Sequence, residues 1–175
     1  AKLSANKGLF LFLNKKKAFN VINKSLVSKY HPIVLEGVTG SGKTLPAEFA
    51  IQHFVNTGKK VIYTSPIKAL SNQKFRDFTE DEAIPSVGLS TGDISLQSDS
   101  QVLVMTTEIL RNTLIEDAES LADVGVVVFD EVHFMDDPER GSVWEETLMF
   151  LPKNVIIVAL SATIANLGQF AAWLE

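Results

Sequence analysis

The sequence contains no cysteine among its 175 residues and no apolar run that approaches the length of a membrane-spanning helix. The first absence excludes disulfide bonds and thiolate metal sites, and it is typical of proteins from a reducing compartment. The second excludes a helical membrane span, which needs about 20 apolar residues. The short apolar stretch 8–13 is interrupted too soon for a signal peptide. We therefore expect an intracellular protein with no membrane partner, and the cytoplasm is the expected compartment.

Positive charge is scarce and unevenly distributed. The chain has 16 Lys and Arg against 21 Asp and Glu, a formal net charge of -5. A net negative charge by itself argues against a nucleic-acid-binding protein. However, the segment before Glu36 contains seven lysines and no acidic residue. The rest of the chain contains the other nine basic residues and all 21 acidic ones. A basic lead-in on an acidic body can meet a phosphate backbone locally, and a solvated helical face is an equally good interpretation.

Residues 37–44 read GVTGSGKT, which fits the phosphate-binding pattern of a glycine, four free positions and then Gly-Lys-Ser/Thr. Glycines let the backbone fold closely around phosphates, so that its N–H groups point at the anion. Lys43 adds positive charge near the β- and γ-phosphates, and the Thr44 hydroxyl can ligate Mg²⁺. A Gly- and Ser-rich linker is the alternative, but a linker would not lie between an apolar strand and a helix. The predicted nucleotide-binding residues are Gly40, Ser41, Gly42, Lys43 and Thr44.

Apolar segments alternate with amphipathic ones along the chain. Strands that are apolar throughout and alternate with helices form parallel sheets covered on both faces. The pattern therefore predicts one doubly wound α/β domain over residues 1–175, with a basic helical lead-in over about residues 1–31. The predicted strands are residues 33–35, 60–64, 86–89, 102–105, 125–129 and 155–160, and a polar loop covers 91–100. Beyond the lead-in, the predicted helices are residues 43–56, 66–78, 108–117, 142–150 and 166–175.

Two adjacent carboxylates, Asp130 and Glu131, follow the most apolar predicted strand. Parallel sheets bind ligands at the carboxyl ends of their strands, so both side chains are expected beside the phosphate loop. Asp130 is predicted to hold Mg²⁺ through water, and Glu131 to orient and activate the attacking water, with Lys43 as the third catalytic residue. A plain Asp-Glu turn is the alternative, which the phosphate loop disfavours. His133 is one of only three histidines and lacks partner spacing, so no metal site is expected there.

The segment DEVH at residues 130–133 resembles the DExH box of superfamily-two helicases. The surrounding sequence is similar to that of the Ski-type DExH-box RNA helicases. The matching stretches are YTSPIKALSNQKF (63–75), TGD (91–93), MTTEILRN (105–112), RGSVWEE (140–146) and LSAT (160–163). The resemblance covers about residues 40–175, in the family's order and spacing. It implies the RecA-like fold of the P-loop NTPases, ATP and Mg²⁺ as cofactors, and single-stranded RNA as a partner.

The resemblance also implies that three loops hold the sugar-phosphate backbone of a single strand. The residues concerned are Pro66, Lys68, Thr91, Gly92, Asp93, Thr106, Thr107 and Glu108. Hydroxyls, a lysine and helix N-termini suit contacts that do not read sequence. Ser65 and Thr107 also precede predicted helix starts, and a role as helix N-caps is compatible with RNA binding. His133, Ser161 and Thr163 are implied to link the nucleotide site to the strand-binding side, with a plain polar turn as the alternative for the last two.

Two features depart from the family pattern. No glutamine precedes Gln52, so the upstream glutamine motif that reads adenine in the family is missing, and adenine specificity is left open. Residues 31–44 also resemble the primosomal replication-restart DNA helicases, which favour the same Gly-Val-Thr-Gly-Ser-Gly-Lys loop. A front segment that is divergent, engineered or chimeric would account for this second resemblance.

We expect the chain to be the first motor domain of an ATP-dependent RNA helicase. Helicases of this type close ATP between two RecA-like domains, and the second domain is not found up to Glu175, so the isolated chain is expected to be inactive as a helicase. A DNA helicase motor domain and a non-catalytic nucleotide-sensing scaffold are the alternatives. The scaffold is disfavoured because Lys43, Thr44, Asp130 and Glu131 are all present.

Overall fold

The structure, a computed structural model, describes residues 33–36, 44–136 and 141–162. The predicted lead-in helices, most of the phosphate loop and the predicted helix 166–175 lie outside these residues. Within the described part, no helix is long and apolar enough to cross a membrane.

Seven strands form one sheet in the described residues. In chain order they are β1 (Ile33–Glu36), β2 (Lys60–Ser65), β3 (Val87–Ser90), β4 (Ser95–Leu96), β5 (Val102–Thr106), β6 (Val124–Phe129) and β7 (Ile156–Ser161). Their order across the sheet is β1-β7-β6-β2-β5-β3-β4, and every neighbouring pair is parallel except β3 with β4. The sequence pattern predicts all of them except β4. The prediction of a loop over residues 91–100 is therefore wrong at Ser95–Leu96. Both residues of β4 are exposed, so the sequence shows no apolar pattern there.

The described helices alternate with these strands. They are α1 (Thr44–Asn56), α2 (Lys68–Thr79), α3 (Thr107–Glu116) and α4 (Gly141–Phe150), with short 3-10 helices at Ala118–Leu121 and Val132–Asp136. Pro46 is the third residue of α1, where its missing N–H costs little, as predicted. The prediction that Pro66 begins α2 is wrong. Ile67 still has extended backbone, with φ −137° and ψ 145°, so the helix begins two residues later.

Helices cover both faces of the sheet. Successive residues of a strand point to opposite sides, so the apolar strands place buried side chains on both faces. On one face α1 and α2 pack on a core that includes Val61, Tyr63 and Val128. On the other face α3 and α4 pack on a core that includes Ile62 and Trp144. The predicted doubly wound arrangement is confirmed.

The parallel strands direct the loops that follow them to one edge of the sheet. The carboxyl ends of β1, β7 and β6 lie side by side and lead into the predicted nucleotide-site segments. The carboxyl ends of β2, β5 and β3 lie side by side on the other half and lead into the predicted RNA-binding loops. Register keeps these ends level, since Ser65 pairs with Thr106 and Ser90 with Met105. One sheet edge therefore presents both groups of residues.

Candidate nucleotide and nucleic-acid site

Asp130 is anchored by hydrogen bonds with β2 and with the following residue, Glu131. Its backbone N–H donates to the carbonyl of Thr64 at 2.8 Å, which fixes the backbone where β6 ends. The Tyr63 hydroxyl donates to Oδ2 of Asp130 at 2.6 Å, and the Glu131 N–H donates to Oδ1 at 3.0 Å. Each carboxylate oxygen has a further lone pair, so the group is oriented but can still accept hydrogen bonds.

Tyr63 belongs to this site although sequence reasoning did not single it out. Its side chain is fully buried, and its ring meets Phe78 edge-to-face at a centroid distance of 5.2 Å. Burial raises the pKa of the Tyr63 hydroxyl well above its usual value, and the neighbouring Asp130 raises it further. The hydroxyl therefore stays protonated at neutral pH and donates its hydrogen bond to Asp130. The available signal was a tyrosine in the middle of a predicted buried strand, because a buried hydroxyl needs a partner.

Glu131 has a strained backbone. Its φ is 54°, in the left-handed region that residues other than glycine rarely adopt. Two hydrogen bonds hold this conformation, from the Glu131 N–H to Asp130 and from the Phe134 N–H to the Glu131 carbonyl at 3.0 Å. Such strain persists only where its surroundings enforce it, and it is concentrated at functional sites. This observation agrees with a specialised role for the residue.

His133 and Ser161 each contain a buried polar atom that makes no hydrogen bond within the described residues, Nδ1 in the histidine and Oγ in the serine. Oε2 of Glu131 lies 3.3 Å from Nδ1 of His133, which is within ion-pair distance but outside hydrogen-bond geometry. Ser161 ends β7, which lies between β1 and β6, and it pairs in register with Glu36. Thr163, the third predicted coupling residue, lies outside the described residues.

The predicted phosphate-binding residues are only partly described. β1 ends at Glu36 and α1 begins at Thr44, whereas Gly40, Ser41, Gly42 and Lys43 lie outside the described residues. α1 packs against β2 and β6, the two strands that present Tyr63 and Asp130.

A close contact in β6 brings α1 to these strands. A Cβ atom at Gly125 would lie 2.4 Å from Cδ1 of Phe54, so only glycine leaves room for this ring. The negative charge of Glu48, on α1, adds a small contribution to the effects of burial and Asp130 that raise the pKa of Tyr63. Burial raises the pKa of the Glu48 carboxyl group, while the positive charge of Lys74 opposes this shift.

On the other half of the edge, Lys68 and Asp93 form an ion pair between Nζ and Oδ2. Their side chains are 53% and 72% exposed, so the pair faces solvent. A Cβ atom at Gly92 would lie 3.6 Å from Nζ of Lys68, which shows that the lysine crosses the glycine. Thr91 closes the tight turn from β3 to β4 through hydrogen bonds with Ile94 at 2.8 and 3.3 Å. Four of the predicted RNA-binding residues are thus close together.

Thr106 and Thr107 lie in the interior, with exposed fractions of 4% and 1%. The Thr107 hydroxyl accepts a hydrogen bond from the Thr64 hydroxyl at 3.1 Å and donates to the Ser65 carbonyl at 3.4 Å. These bonds join the start of α3 to the end of β2. Glu108, the next predicted residue, is half-buried in the first turn of α3.

The prediction that Ser65 and Thr107 are helix N-caps is wrong. Ser65 is the last residue of β2, and its hydroxyl shares a hydrogen bond with that of Ser71 at 2.7 Å. The N-cap positions of α2 and α3 are occupied by Ile67 and Thr106, and neither helix has a side-chain cap hydrogen bond. The hydroxyls instead form a buried network behind the predicted RNA-binding loops.

Comparison with known proteins identifies the family. The model of the DEAD/DEAH box helicase family matches residues 15–170. The ATP-dependent RNA helicase mtr4 of Schizosaccharomyces pombe is 45% identical over 156 residues, which cover 89% of this chain. The antiviral helicase SKI2 of Saccharomyces cerevisiae is 51% identical over 136 residues, which cover 78%. The chain spans 14% of the length of the first relative and 11% of the second.

The fold is shared with solved helicase structures. That of the DUF1998 helicase MrfA bound to DNA and AMPPNP matches with a TM-score of 0.71 at 22% identity, covering 90% of this chain and 25% of that one. This likeness confirms the predicted RecA-like fold, and the sequence relatives confirm the resemblance to Ski-type helicases. Since the family model covers most of its length, the chain belongs to the DEAD/DEAH box helicase family.

Proposed function

We propose that this chain is the ATP-binding first motor domain of an ATP-dependent RNA helicase, in which hydrolysis drives movement along single-stranded RNA and unwinding. The observation that carries the proposal is the division of one sheet edge. Asp130 and Glu131 lie on one half, and the loops with Lys68 and Gly92 lie on the other. A motor domain needs both sites on one rigid body, because binding at one must change binding at the other. The relative with 45% identity is named as an ATP-dependent RNA helicase.

In this proposal Gly40, Ser41, Gly42 and Lys43 bind the phosphates of ATP. Backbone N–H groups and the lysine charge are suited to this, and the N-terminus of α1 adds partial positive charge where the helix begins at Thr44. The family uses ATP, which makes ATP the expected nucleotide.

The donor set fits Mg²⁺ bound together with a nucleotide. Among the described residues, no group of three or more His, Cys, Asp or Glu could hold a metal. Mg²⁺ at nucleotide sites takes few protein ligands and completes its octahedron with phosphates and water. Asp130, with its carboxylate oriented and a lone pair free on each oxygen, and the Thr44 hydroxyl meet that demand. When bound, Mg²⁺ would neutralise charge on the phosphates.

Glu131 is proposed to orient the attacking water and to take up its proton. Its side chain is 27% exposed, so the carboxylate is sheltered without being cut off from solvent. The left-handed backbone sets the direction in which this side chain leaves the sheet. A fixed direction matters, because positioning accounts for much of the catalysis of phosphoryl transfer.

Single-stranded RNA is proposed to cross the carboxyl ends of β2, β5 and β3. Lys68 supplies positive charge, and the N-terminus of α3 supplies backbone N–H groups at Thr107 and Glu108. The hydroxyl of Thr107 is occupied inside the protein. We therefore assign direct contacts to Lys68, the backbone of the turn at Thr91, Gly92 and Asp93, and the backbone N–H groups of α3, while the Asp93 carboxylate is occupied by Lys68. Pro66 and Thr106 would shape these loops.

His133 and Ser161, with Thr163, are proposed to couple the two sites. A buried polar atom without a hydrogen bond costs about 1–3 kcal/mol. Nδ1 of His133 and Oγ of Ser161 are such atoms within the described residues. A nucleotide-bound state that supplies their partners would be favoured by that amount, and this is how the strand-binding side would sense the nucleotide.

Turnover is proposed to require a second motor domain. An arginine finger contributes about 10³–10⁵ in rate to phosphoryl transfer. Arg111 is held between α3 and α4 by Glu146 at 3.3 Å and by Asn112, and Arg76 is an exposed residue of α2. Arg140 lies outside the described residues. The isolated chain is therefore expected to bind ATP weakly, to hydrolyse it near background and to unwind no duplex.

Calorimetric titration of the chain with MgATP tests the nucleotide site. We expect binding by the wild-type chain and none by Lys43→Ala, with unchanged circular dichroism. Lys153→Ala, which removes an exposed lysine after α4, is the matched control and should bind as the wild type does. Unchanged affinity in Lys43→Ala would contradict the phosphate-loop assignment.

A DNA helicase is the second candidate, because the phosphate loop resembles that of the primosomal DNA helicases. RNA and DNA strands of equal length and sequence should be compared as activators of ATP hydrolysis, in a protein that joins this chain to a second motor domain. The two differ by the 2′-OH, so stronger activation by RNA supports the proposal. Stronger activation by DNA would favour the alternative, and no hydrolysis with either would favour a nucleotide-sensing scaffold.

A further inference from the structure

The buried hydroxyl of Tyr63 is placed at the carboxylate of Asp130. Tyr63 is 0% exposed, and phenylalanine would fill the same space between the sheet and α2. A hydroxyl in that position is costly unless it is hydrogen-bonded. Its partner is Oδ2 of Asp130 at 2.6 Å, a residue 67 positions away in the sequence.

This hydrogen bond is the first of two in series. With Oδ2 held by Tyr63, the plane of the carboxylate is set and Oδ1 accepts the N–H of Glu131 at 3.0 Å. The second bond acts on a residue whose φ is 54°. Rotation of the Asp130 carboxylate would break it and remove a support of the strained backbone.

We propose that Tyr63 is a positioning residue: its hydroxyl orients Asp130, and Asp130 in turn holds Glu131 in its left-handed conformation. The consequence for catalysis rests on the proposed function, but the consequence for the backbone of Glu131 does not. Tyr63 contacts neither nucleotide nor RNA in this scheme and acts only through the two carboxylates.

Tyr63→Phe isolates the hydroxyl, because the ring contact with Phe78 is kept. Thr147→Val is the matched control. It removes another fully buried hydroxyl, whose hydrogen bond at 2.6 Å stays within α4 and ends on the carbonyl of Val143.

The first readout needs no nucleotide. In the ¹⁵N-labelled chain, Tyr63→Phe should shift the amide signal of Glu131 and speed its hydrogen exchange roughly tenfold or more, the factor that corresponds to losing a hydrogen bond to a charged group. Thr147→Val should leave that amide unchanged. An unmoved Glu131 signal in Tyr63→Phe would overturn the proposal, whatever the chain binds.

The second readout is turnover in a protein that joins this chain to a second motor domain. Partners of ligating groups typically contribute 10- to 100-fold to metal affinity or activity. Tyr63→Phe should therefore lower kcat by about 10- to 100-fold, while the affinity for ATP without Mg²⁺ and the KM for RNA stay within about twofold. Equal losses in Tyr63→Phe and Thr147→Val would mean a merely structural role and would overturn the proposal. If the wild type neither binds nor hydrolyses ATP, the proposed function fails, and the amide readout alone decides about Tyr63.

A third measurement covers the case in which Tyr63→Phe does not fold. The chain has two tyrosines, so ¹³Cζ-tyrosine labelling gives two signals, and Tyr30→Phe assigns them. Asp130→Asn removes the charge that Tyr63 faces and should move the signal of Tyr63. A Tyr63 signal that does not respond would contradict the hydrogen bond on which the proposal depends.

Discussion

Replacing Asp93 by asparagine removes the charged partner of Lys68 at the proposed RNA-binding edge. In the structure the two side chains form an exposed ion pair across Gly92. A phosphate group of RNA would have to compete with the Asp93 carboxylate for the same ammonium group. We therefore predict that Asp93→Asn binds single-stranded RNA more tightly than the wild type does.

The size of the effect follows from the exposure of the pair. Ion pairs at exposed positions contribute roughly 0.2–1 kcal/mol, because water and salt screen them. Release of Lys68 by Asp93→Asn should then increase RNA affinity by about 1.4- to 5-fold at low ionic strength. The gain should shrink as salt rises, since the screening length falls from about 10 Å at 0.1 M to about 3 Å at 1 M.

Fluorescence anisotropy with a short labelled RNA measures this, at several salt concentrations. Asp77→Asn is the matched control, because it makes the same change of charge in another Lys-Asp pair, with Lys74 on α2 at 3.5 Å. Its effect should be smaller than that of Asp93→Asn. The reasoning is refuted if Asp93→Asn binds RNA more weakly than the wild type, which would show that Asp93 itself holds the strand, or if both variants gain equally.

Three further variants test RNA binding at the turn and the stability of the fold. A Cβ atom at Gly92 would make only ordinary contacts, so Gly92→Ala should keep the melting temperature of the wild type. In the anisotropy assay it should bind RNA more weakly, because in our proposal the strand approaches this turn closely. A Cβ atom at Gly88 would lie 2.2 Å from the backbone oxygen of Gln97, so Gly88→Ala should lower the free energy of unfolding by about 1–3 kcal/mol in urea titrations. Burial raises the pKa of Glu48, so the stability linked to this group is complete below the ordinary glutamate pKa and is lost as the pH rises through the folded-state pKa. Glu48→Gln should therefore melt at a higher temperature than the wild type at pH 7 and at the same temperature near pH 4, as followed by circular dichroism.

Much of the fold could be predicted from the sequence because buried parallel strands are apolar on both faces. The strand before Asp130 is an example, since every residue from Val124 to Phe129 is buried. Such a strand ends where charged residues follow the apolar run, so Asp130 and Glu131 could be assigned to the binding edge. The insertion of β7 between β1 and β6 could not be predicted in this way, because apolar pattern carries no information on the order of strands.

The errors have local physical causes. β4 is a two-residue strand with both side chains exposed, so only its pairing with β3 identifies it. The start of α2 is displaced because Ile67 still has extended backbone, and the Ser65 hydroxyl bonds to the side chain of Ser71 and caps no backbone N–H of the helix. Tyr63 could not be singled out because its partner is distant in sequence, and the same contact underlies the support that we propose for the left-handed backbone of Glu131.

RNA-stimulated ATP hydrolysis by a protein that joins this chain to a second motor domain tests the central claim most directly. The wild type should hydrolyse ATP in an RNA-dependent way, and Glu131→Gln should keep its affinity for ATP while losing most of the turnover. The isolated chain should stay near background under the same conditions. Turnover of Glu131→Gln at the wild-type rate, or hydrolysis that does not respond to RNA, would contradict the account.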